Sequence, residues 1–244
     1  MVDFINMVEV FSSIQGEGQY VGCRQVFVRL AGCNLQCIYC DTPTSRAISD
    51  SCRIEQTPGK RDFFIFDNPF MLSELVNKIN NLLVHPHHSV SFTGGEPLCQ
   101  ADALNQVISG IKGKIYIETN GTLPKELKKI INNIDIVSMD IKMPDVTGSE
   151  LWDVHKEFLK IAADKEVFVK LVVTGTTQKQ FFEKAVELVT SVNRKIPLIL
   201  QPVTPINGCI PILPEEVLEL QSLALKSLDI VKVIPQTHKF IDQL

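Results

Sequence analysis

The chain has 244 residues, of which 45% are hydrophobic and 21% charged, with a formal net charge of -4. That length holds one large core or two modest ones, and no stretch approaches the roughly eighteen uninterrupted apolar residues of a membrane-spanning helix. A slightly acidic balance with no basic run gives no footprint for nucleic acid or an anionic membrane, so the expected partner is a small molecule.

In chain order, Met1 to Asn6 lacks the basic start and small-residue cleavage site of a signal peptide, and the seven cysteines are odd in number with no pairing pattern. A reducing, cytoplasmic compartment is the expectation. β-branched runs predict strands at 26–30, 90–93, 115–119, 136–140, 167–173 and 196–203. Amphipathic patterns predict helices at 72–83, 101–111, 124–131, 150–163, 178–192 and 214–225, two of them opened by Pro124 and Pro214 at the first helical position. Strand and helix alternate, which predicts parallel βαβ units in an α/β fold, either an open sheet or a partial or complete barrel; of these, an incomplete (β/α)6-type TIM barrel of parallel strands is the expectation, with residues 1–244 as a single domain. Segment 44–70 breaks the rhythm with Ser, Asp, Arg, Pro and Gly around Phe63-Phe64-Ile65-Phe66. It reads as a loop excursion, either a mobile surface segment or a lid or partner-binding element. A partial barrel leaves edges to cover, so a homodimer is expected.

The chemistry concentrates in Gly32-Cys33-Asn34-Leu35-Gln36-Cys37-Ile38-Tyr39-Cys40-Asp41-Thr42. Three thiolates on one short loop gather around one inorganic centre, and a 4Fe-4S cluster held by three cysteines keeps one iron open to a substrate or cofactor. Structural zinc would need a fourth ligand and usually a second knuckle; Cys23, Cys52, Cys99 and Cys209 stand singly and no His-x-x-x-His pair exists. Other unusual residues fall just beyond strand ends: Thr93-Gly94-Gly95-Glu96-Pro97, Glu118-Thr119-Asn120, Asp140-Ile141-Lys142 and Gln201-Pro202-Val203-Thr204. In a parallel α/β architecture these ends share the face where ligands bind. Glu96 offers a carboxylate for an ammonium; taken alone, each of these residues also reads as a turn, a cap or a solvated charge. Cys99 reads as a small packed residue.

Cys-x-x-x-Cys-x-x-Cys with Tyr39 before its last cysteine, together with Gly94-Gly95-Glu96-Pro97, resembles the radical S-adenosylmethionine (SAM) superfamily. The resemblance implies that the open iron chelates SAM and that an electron from the cluster cleaves the sulfonium to give a 5'-deoxyadenosyl radical. Finer features resemble the 7-carboxy-7-deazaguanine synthase family over nearly the whole chain: Phe11-Ser12-Ser13-Ile14-Gln15-Gly16-Glu17-Gly18, Phe27-Val28-Arg29-Leu30-Ala31-Gly32-Cys33, Cys40-Asp41-Thr42 and Gln236-Thr237-His238-Lys239. That likeness implies conversion of 6-carboxy-5,6,7,8-tetrahydropterin to 7-carboxy-7-deazaguanine with loss of ammonia, in 7-deazapurine (queuosine) biosynthesis, with an electron donor such as flavodoxin or ferredoxin.

By the same resemblance Cys33, Cys37 and Cys40 hold the cluster and Thr42 a magnesium ion. Tyr39, Gly95, Glu118, Asn120, Asp140, Ile141, Lys142, Gln201, Pro202, Val203 and Thr204 line the SAM pocket. Ile14, Gln15, Gly16, Glu17, Arg29, Thr93, His238 and the carboxylate of Leu244 meet the pterin. The segment Ser138-Met139-Asp140-Ile141-Lys142 departs from the Ser-Pro-Lys common in that family. The nearest rival is a glycyl-radical-enzyme activase, which has no reason to carry Gln15-Gly16-Glu17-Gly18 or the Gln236-Thr237-His238 ending. A non-catalytic iron-sulfur electron-transfer protein would need a fourth cysteine ligand.

Overall fold

The computed structural model describes residues 2–244. The N-terminal region forms β1 (Phe4–Ile5), β2 (Met7–Ile14), β3 (Arg24–Leu30), β4 (Ser51–Glu55), β5 (Phe63–Asp67) and β6 (Phe70–Met71). Helices and strands then alternate: α1 (Leu72–Leu82), β7 (Ser89–Gly94), α2 (Ala101–Ser109), β8 (Ile115–Thr119), α3 (Pro124–Ile130) and β9 (Ile136–Asp140). The one-turn α4 (Pro144–Thr147), α5 (Trp152–Ala162), β10 (Glu166–Val173), α6 (Lys179–Val192), β11 (Leu198–Pro202), α7 (Pro214–Ala224) and β12 (Val231–Val233) complete the chain.

Ten strands share one sheet in the order β12-β11-β10-β9-β8-β7-β3-β2-β4-β5. Neighbours from β3 through β7 to β12 are parallel. The end strands β12 and β5 do not pair, so the barrel is incomplete, as expected. Each of the six predicted strands and six predicted helices forms within a few residues of its expected bounds. Pro124 and Pro214 do stand at helix starts, where the missing N–H is no loss.

The 44–70 segment differs from expectation. It carries β4 and β5, a hairpin that joins the sheet beside β2 through the Glu9–Arg53 and Val10–Ile54 pairs. Alternation in Ser51-Cys52-Arg53-Ile54-Glu55 puts Cys52 and Ile54 into the core. Its polar residues at Ser51, Arg53 and Glu55 hid the strand. Strand β2, antiparallel to β3, was equally unforeseen, because Glu9, Ser12 and Ser13 interrupt its apolar pattern.

Strand geometry sorts the side chains, since alternate residues face opposite sides. Val28, Phe92, Ile117, Val137, Met139, Val169, Leu171 and Leu200 point one way and are fully buried. They pack in one core cluster with helical residues including Leu75, Ile79, Leu104, Phe158, Phe182 and Val189, and each such buried side chain contributes roughly 1.5–3 kcal/mol. On the opposite face, Tyr116, Ile136, Phe168 and Ile199 form an apolar layer. Two residues further along the same strands stand Glu118, Ser138, Lys170 and Gln201. The interior is thus plugged below and polar above.

The β7 end meets the loop that follows β3 at backbone distance. Gly95 N–H donates to the Leu30 carbonyl (3.0 Å) and Glu96 N–H to the Gly32 carbonyl (2.8 Å). A Cβ on Gly95 would lie 2.0 Å from the Gly32 carbonyl oxygen, so only glycine fits. Replacing Gly95 by Ala is expected to lower the melting temperature and the iron content of reconstituted protein, at a cost of about 1–3 kcal/mol or more for forced repacking. Gly113→Ala, whose added carbon would meet nothing nearer than 3.7 Å, is the control and should melt like the parent.

Candidate active site

A cavity of about 460 Å³ opens at the C-terminal ends of the parallel strands and the loops beside them. Register builds its floor: Arg29 pairs with Thr93, Glu118 with Ser138, Asp140 with Lys170 and Val172 with Gln201. All eight line the cavity. Cys33, Cys37 and Cys40 line it from the loop after β3, with Tyr39 buried between them and Thr42 just beyond. All seven cysteines of the chain are free.

The loop is held from several sides. Cys40 N–H donates to the Cys37 carbonyl (3.3 Å) and Ile38 N–H to the Val146 carbonyl (3.4 Å). The Arg46 guanidinium donates to the Cys37 carbonyl. Asn34 accepts from the Asn120 amide (2.9 Å) and donates to the Thr122 hydroxyl (2.8 Å), tying the loop to the β8 end. Burial pushes the Cys33 and Cys37 thiols up, and the Lys142 ammonium partly opposes this. Coordination to iron would deprotonate such thiols.

Of the residues assigned from sequence, the cavity lining collects Ile14, Gln15, Gly16, Glu17, Arg29, Thr93, Gly95, Glu118, Asn120, Asp140, Lys142, Gln201, Val203, Thr204, His238 and Leu244 along with the loop residues. Ile141 and Pro202 fall outside it. The Ile141 side chain is fully buried in the main core, and Pro202 continues the β11 ladder opposite Val173. Period-two alternation explains both, since each neighbours a residue that faces the cavity. Glu96 is fully buried and presents no carboxylate to a ligand. It accepts from Leu98 N–H (3.1 Å), the Thr119 hydroxyl (2.9 Å) and Asn120 N–H (2.7 Å), while burial pushes its carboxyl up to about 7. Its role is to join the β7 and β8 ends. Cys99 is exposed, not packed.

Charged side chains around the cavity are bonded, some to opposite charges and some to neutral groups. Burial pushes the Glu17 carboxyl up, but the Lys170 ammonium and hydrogen bonds from Lys170 and Gln236 outweigh it and hold Glu17 well below the usual range. The Lys142 ammonium donates to Asp140 Oδ2 (2.8 Å) and lies 4.9 Å from the Tyr39 ring centre. Arg29 donates to Glu9 (2.9 Å), which also accepts from Arg53. Glu118 accepts from the Gln15 amide (2.8 Å) and the Thr93 hydroxyl (3.1 Å), linking the loop after β2 to the barrel floor. Thr42 precedes a 3-10 turn at Pro43–Arg46 without using its hydroxyl as a cap.

Lys170, Asp41, Arg46, Ser138, Lys239 and Gln243 also line the cavity and were not assigned from the sequence. Lys170 had a signal, a single charge in the otherwise apolar run Val167 to Val173. Three buried oxygens in the lining or floor lack a protein partner: Ser138 Oγ, Asp140 Oδ1 and Gln201 Oε1. Buried polar atoms are ordinarily bonded, so this row has hydrogen-bonding capacity for a polar ligand. Three thiols above such a row fit a cluster bearing a polar ligand on its open iron.

Residues 28–189 match the model of the Radical SAM superfamily. The fold agrees with solved structures at low identity: QueE from Escherichia coli has a TM-score of 0.59 at 19% identity, over 96% of this chain and 95% of that one. A radical SAM methyltransferase from Sphaerobacter thermophilus has a TM-score of 0.60 at 11% identity, over 87% and 66% of the two chains. The class is therefore a radical SAM enzyme, with a 4Fe-4S cluster and SAM as its cofactors.

Curated relatives narrow it. The 7-carboxy-7-deazaguanine synthase of Geobacter sulfurreducens is 48% identical over 97% of this chain and 96% of its own, and that of Methanothermobacter thermautotrophicus is 35% identical over 96% and 95%. The chain belongs to the 7-carboxy-7-deazaguanine synthase family.

Two residues near the site carry measurable consequences. His155 is fully buried, with Nε2 3.1 Å from the Asn120 carbonyl, and burial lowers its pKa from 6.5 to about 4. The unfolded chain therefore takes up the proton first. This contribution to stability is complete above pH 6.5 and lost as pH falls toward 4, a total of about 3 kcal/mol. Urea melts across that range should show a shallower pH slope in His155→Gln than in the parent. Lys170→Met removes the cation bonded to the Glu17 carboxylate and strands it in the interior, which should destabilise by about 3–5 kcal/mol. The double variant Lys170→Met/Glu17→Gln should recover most of that loss in the same melts.

Proposed function

We propose that this chain, as a single radical SAM domain across residues 1–244, converts 6-carboxy-5,6,7,8-tetrahydropterin to 7-carboxy-7-deazaguanine with loss of ammonia, feeding 7-deazapurines such as queuosine. The observation that carries this reading is convergence: the three loop thiols, the polar strand-end row, the Gln15 to Glu17 loop and His238 line one cavity. When bound by Cys33, Cys37 and Cys40, the cluster with SAM supplies reductive cleavage to a 5'-deoxyadenosyl radical.

The chain's own residues orient and shield. Tyr39, Gly95, Glu118, Asn120, Asp140, Lys142, Gln201, Val203 and Thr204 are assigned to SAM. A flat pterin needs convergent hydrogen bonds to fix which hydrogen faces the radical. Gln15, Glu17, Arg29, Thr93 and His238 are assigned that work, with Ile14, Gly16 and Leu244 shaping the walls. Thr42, whose hydroxyl caps no turn, would hold a magnesium ion, which prefers hard oxygen donors and would supply positive charge to an anionic substrate. Glu17, Asp41 and His238 place ligand atoms within 4.8 Å of one another beside it. We assign an electron donor such as flavodoxin or ferredoxin, a homodimer, and a cytoplasmic location.

Anaerobically reconstituted protein with SAM, reductant, Mg²⁺ and the tetrahydropterin is expected to release 7-carboxy-7-deazaguanine, followed by mass spectrometry, and Cys37→Ala is expected to abolish it. 5'-Deoxyadenosine without the deazaguanine would overturn the substrate assignment.

A further inference from the structure

The closing segment of the chain forms part of the cavity wall through Gln236, His238, Lys239, Gln243 and Leu244. Something must hold it there, because a segment this short buries little apolar surface; Phe240 and Ile241 are exposed. The hydrogen bonds converge on Gln236, which is 7% exposed. Its Nε2 donates to Glu17 Oε1 (2.7 Å) and to Asp41 Oδ2 (2.7 Å). Its Oε1 accepts from the Thr204 hydroxyl (2.6 Å) and the Lys239 ammonium (2.6 Å).

A glutamine amide offers two N–H donors and an oxygen with two lone pairs, and here all four are used. The partners also settle the orientation of the amide. Carboxylates accept and an ammonium donates, so nitrogen must face Glu17 and Asp41 and oxygen must face Lys239. No charged side chain satisfies this set. A glutamate would bring a third carboxylate against two, and a lysine or arginine would have no acceptor for Thr204 or Lys239.

The four partners come from separate places: the loop after β2, the loop that carries the cysteines, the β11 exit and the closing segment. Adjacent bonds extend the join. Thr237 N–H donates to the Gly16 carbonyl (2.8 Å), and a Cβ on Gly16 would lie 2.2 Å from His238 Nδ1. His238 therefore packs directly on the loop that carries Glu17.

We propose that Gln236 is a positioning residue for the pterin: its amide fastens the closing segment to the Glu17 loop and to Asp41 beside the cluster ligands, so that Glu17, Asp41 and His238 meet the substrate as one preset surface. The proposal rests on the pterin reading given above. A preset surface spares the substrate the cost of ordering three separate chain segments. Gln236 itself need not touch the substrate.

The test uses the anaerobic holoenzyme and Gln236→Met, which keeps the side chain's length and removes all four bonds. Hydrogen exchange of residues 237–244 should quicken, and the pterin KM should rise on the order of tenfold or more, given three hydrogen bonds to charged groups lost. The KM for SAM and the rate of pterin-free 5'-deoxyadenosine release should change several-fold less than the pterin KM, because Gln236 reaches the SAM residues only through the Thr204 hydroxyl, a split that general destabilisation would not produce. Should Gln236→Met fail to fold, Gln236→Glu, which keeps the acceptors and loses the donors, is expected to show the same exchange and KM changes. Unchanged exchange and pterin KM in the folded variant would overturn the proposal, as would equal losses for both substrates. If the parent cleaves SAM but makes no product from the pterin, the substrate reading fails, while exchange in 237–244 still decides whether Gln236 fastens the segment.

Discussion

The backbone contact between the end of β7 and the loop leaving β3 sets the position of everything that follows. Gly95 and Glu96 donate to the carbonyls of Leu30 and Gly32, and Gly32 N–H in turn donates to the Ser45 carbonyl on the far side of the cysteines (2.8 Å). Both ends of the loop are thereby pinned to one strand terminus. Three thiols bind one centre more tightly when their backbone is fixed in advance, because coordination energy spent on ordering a loop is lost to binding. Side chains are too bulky for that junction, so glycine is required there by space.

A second constraint is the burial of charge on the barrel floor. Lys170, Glu17, Lys142 and Asp140 are largely removed from water, where isolated charges are costly, and each has an opposite charge within bonding distance. Pairing fixes them in direction. Ser138 Oγ, Asp140 Oδ1 and Gln201 Oε1 keep unspent hydrogen-bonding capacity in the same region. A floor that is charged, immobile and incompletely bonded suits recognition of a zwitterionic or polar heterocyclic ligand more than it suits stability. The apolar layer of Tyr116, Ile136, Phe168 and Ile199 beneath it closes the barrel to water from the other end.

The N-terminal strands finish the wall that seven parallel strands leave open. β2 pairs with β3 along seven residue pairs and delivers the Ile14 to Glu17 loop to the cavity. The β4–β5 hairpin extends that edge, and its turn reaches the closing segment through the Arg61 guanidinium on the Asp242 carbonyl. Sheet extension and cavity construction are one event. The parts of the chain most distant in sequence, residues 14–17 and 236–244, end side by side.

Local pattern carried much of this. Six helices and six parallel strands were legible because apolar periodicity and Pro caps act within a few residues. The cysteine loop was legible because three ligands on a short stretch need no knowledge of the fold to imply a shared centre. Strands β2 and β4 escaped because their polar residues are buried by partners far away: Glu9 by Arg29 and Arg53, and Glu55 by the N–H groups of Ser12 and Arg61. Likewise, alternation decided that Asp140 and Gln201 face the cavity while Ile141 and Pro202 do not, and Glu96 turned from solvent to the β8 end. The sequence by itself determined the helices and strands of the parallel part, the close spacing of the three cysteines and the family resemblance. Tertiary structure alone decided which carboxylates are paired, which face a ligand and how Gln236 bridges them, because a charge's role depends on the neighbours that burial gives it.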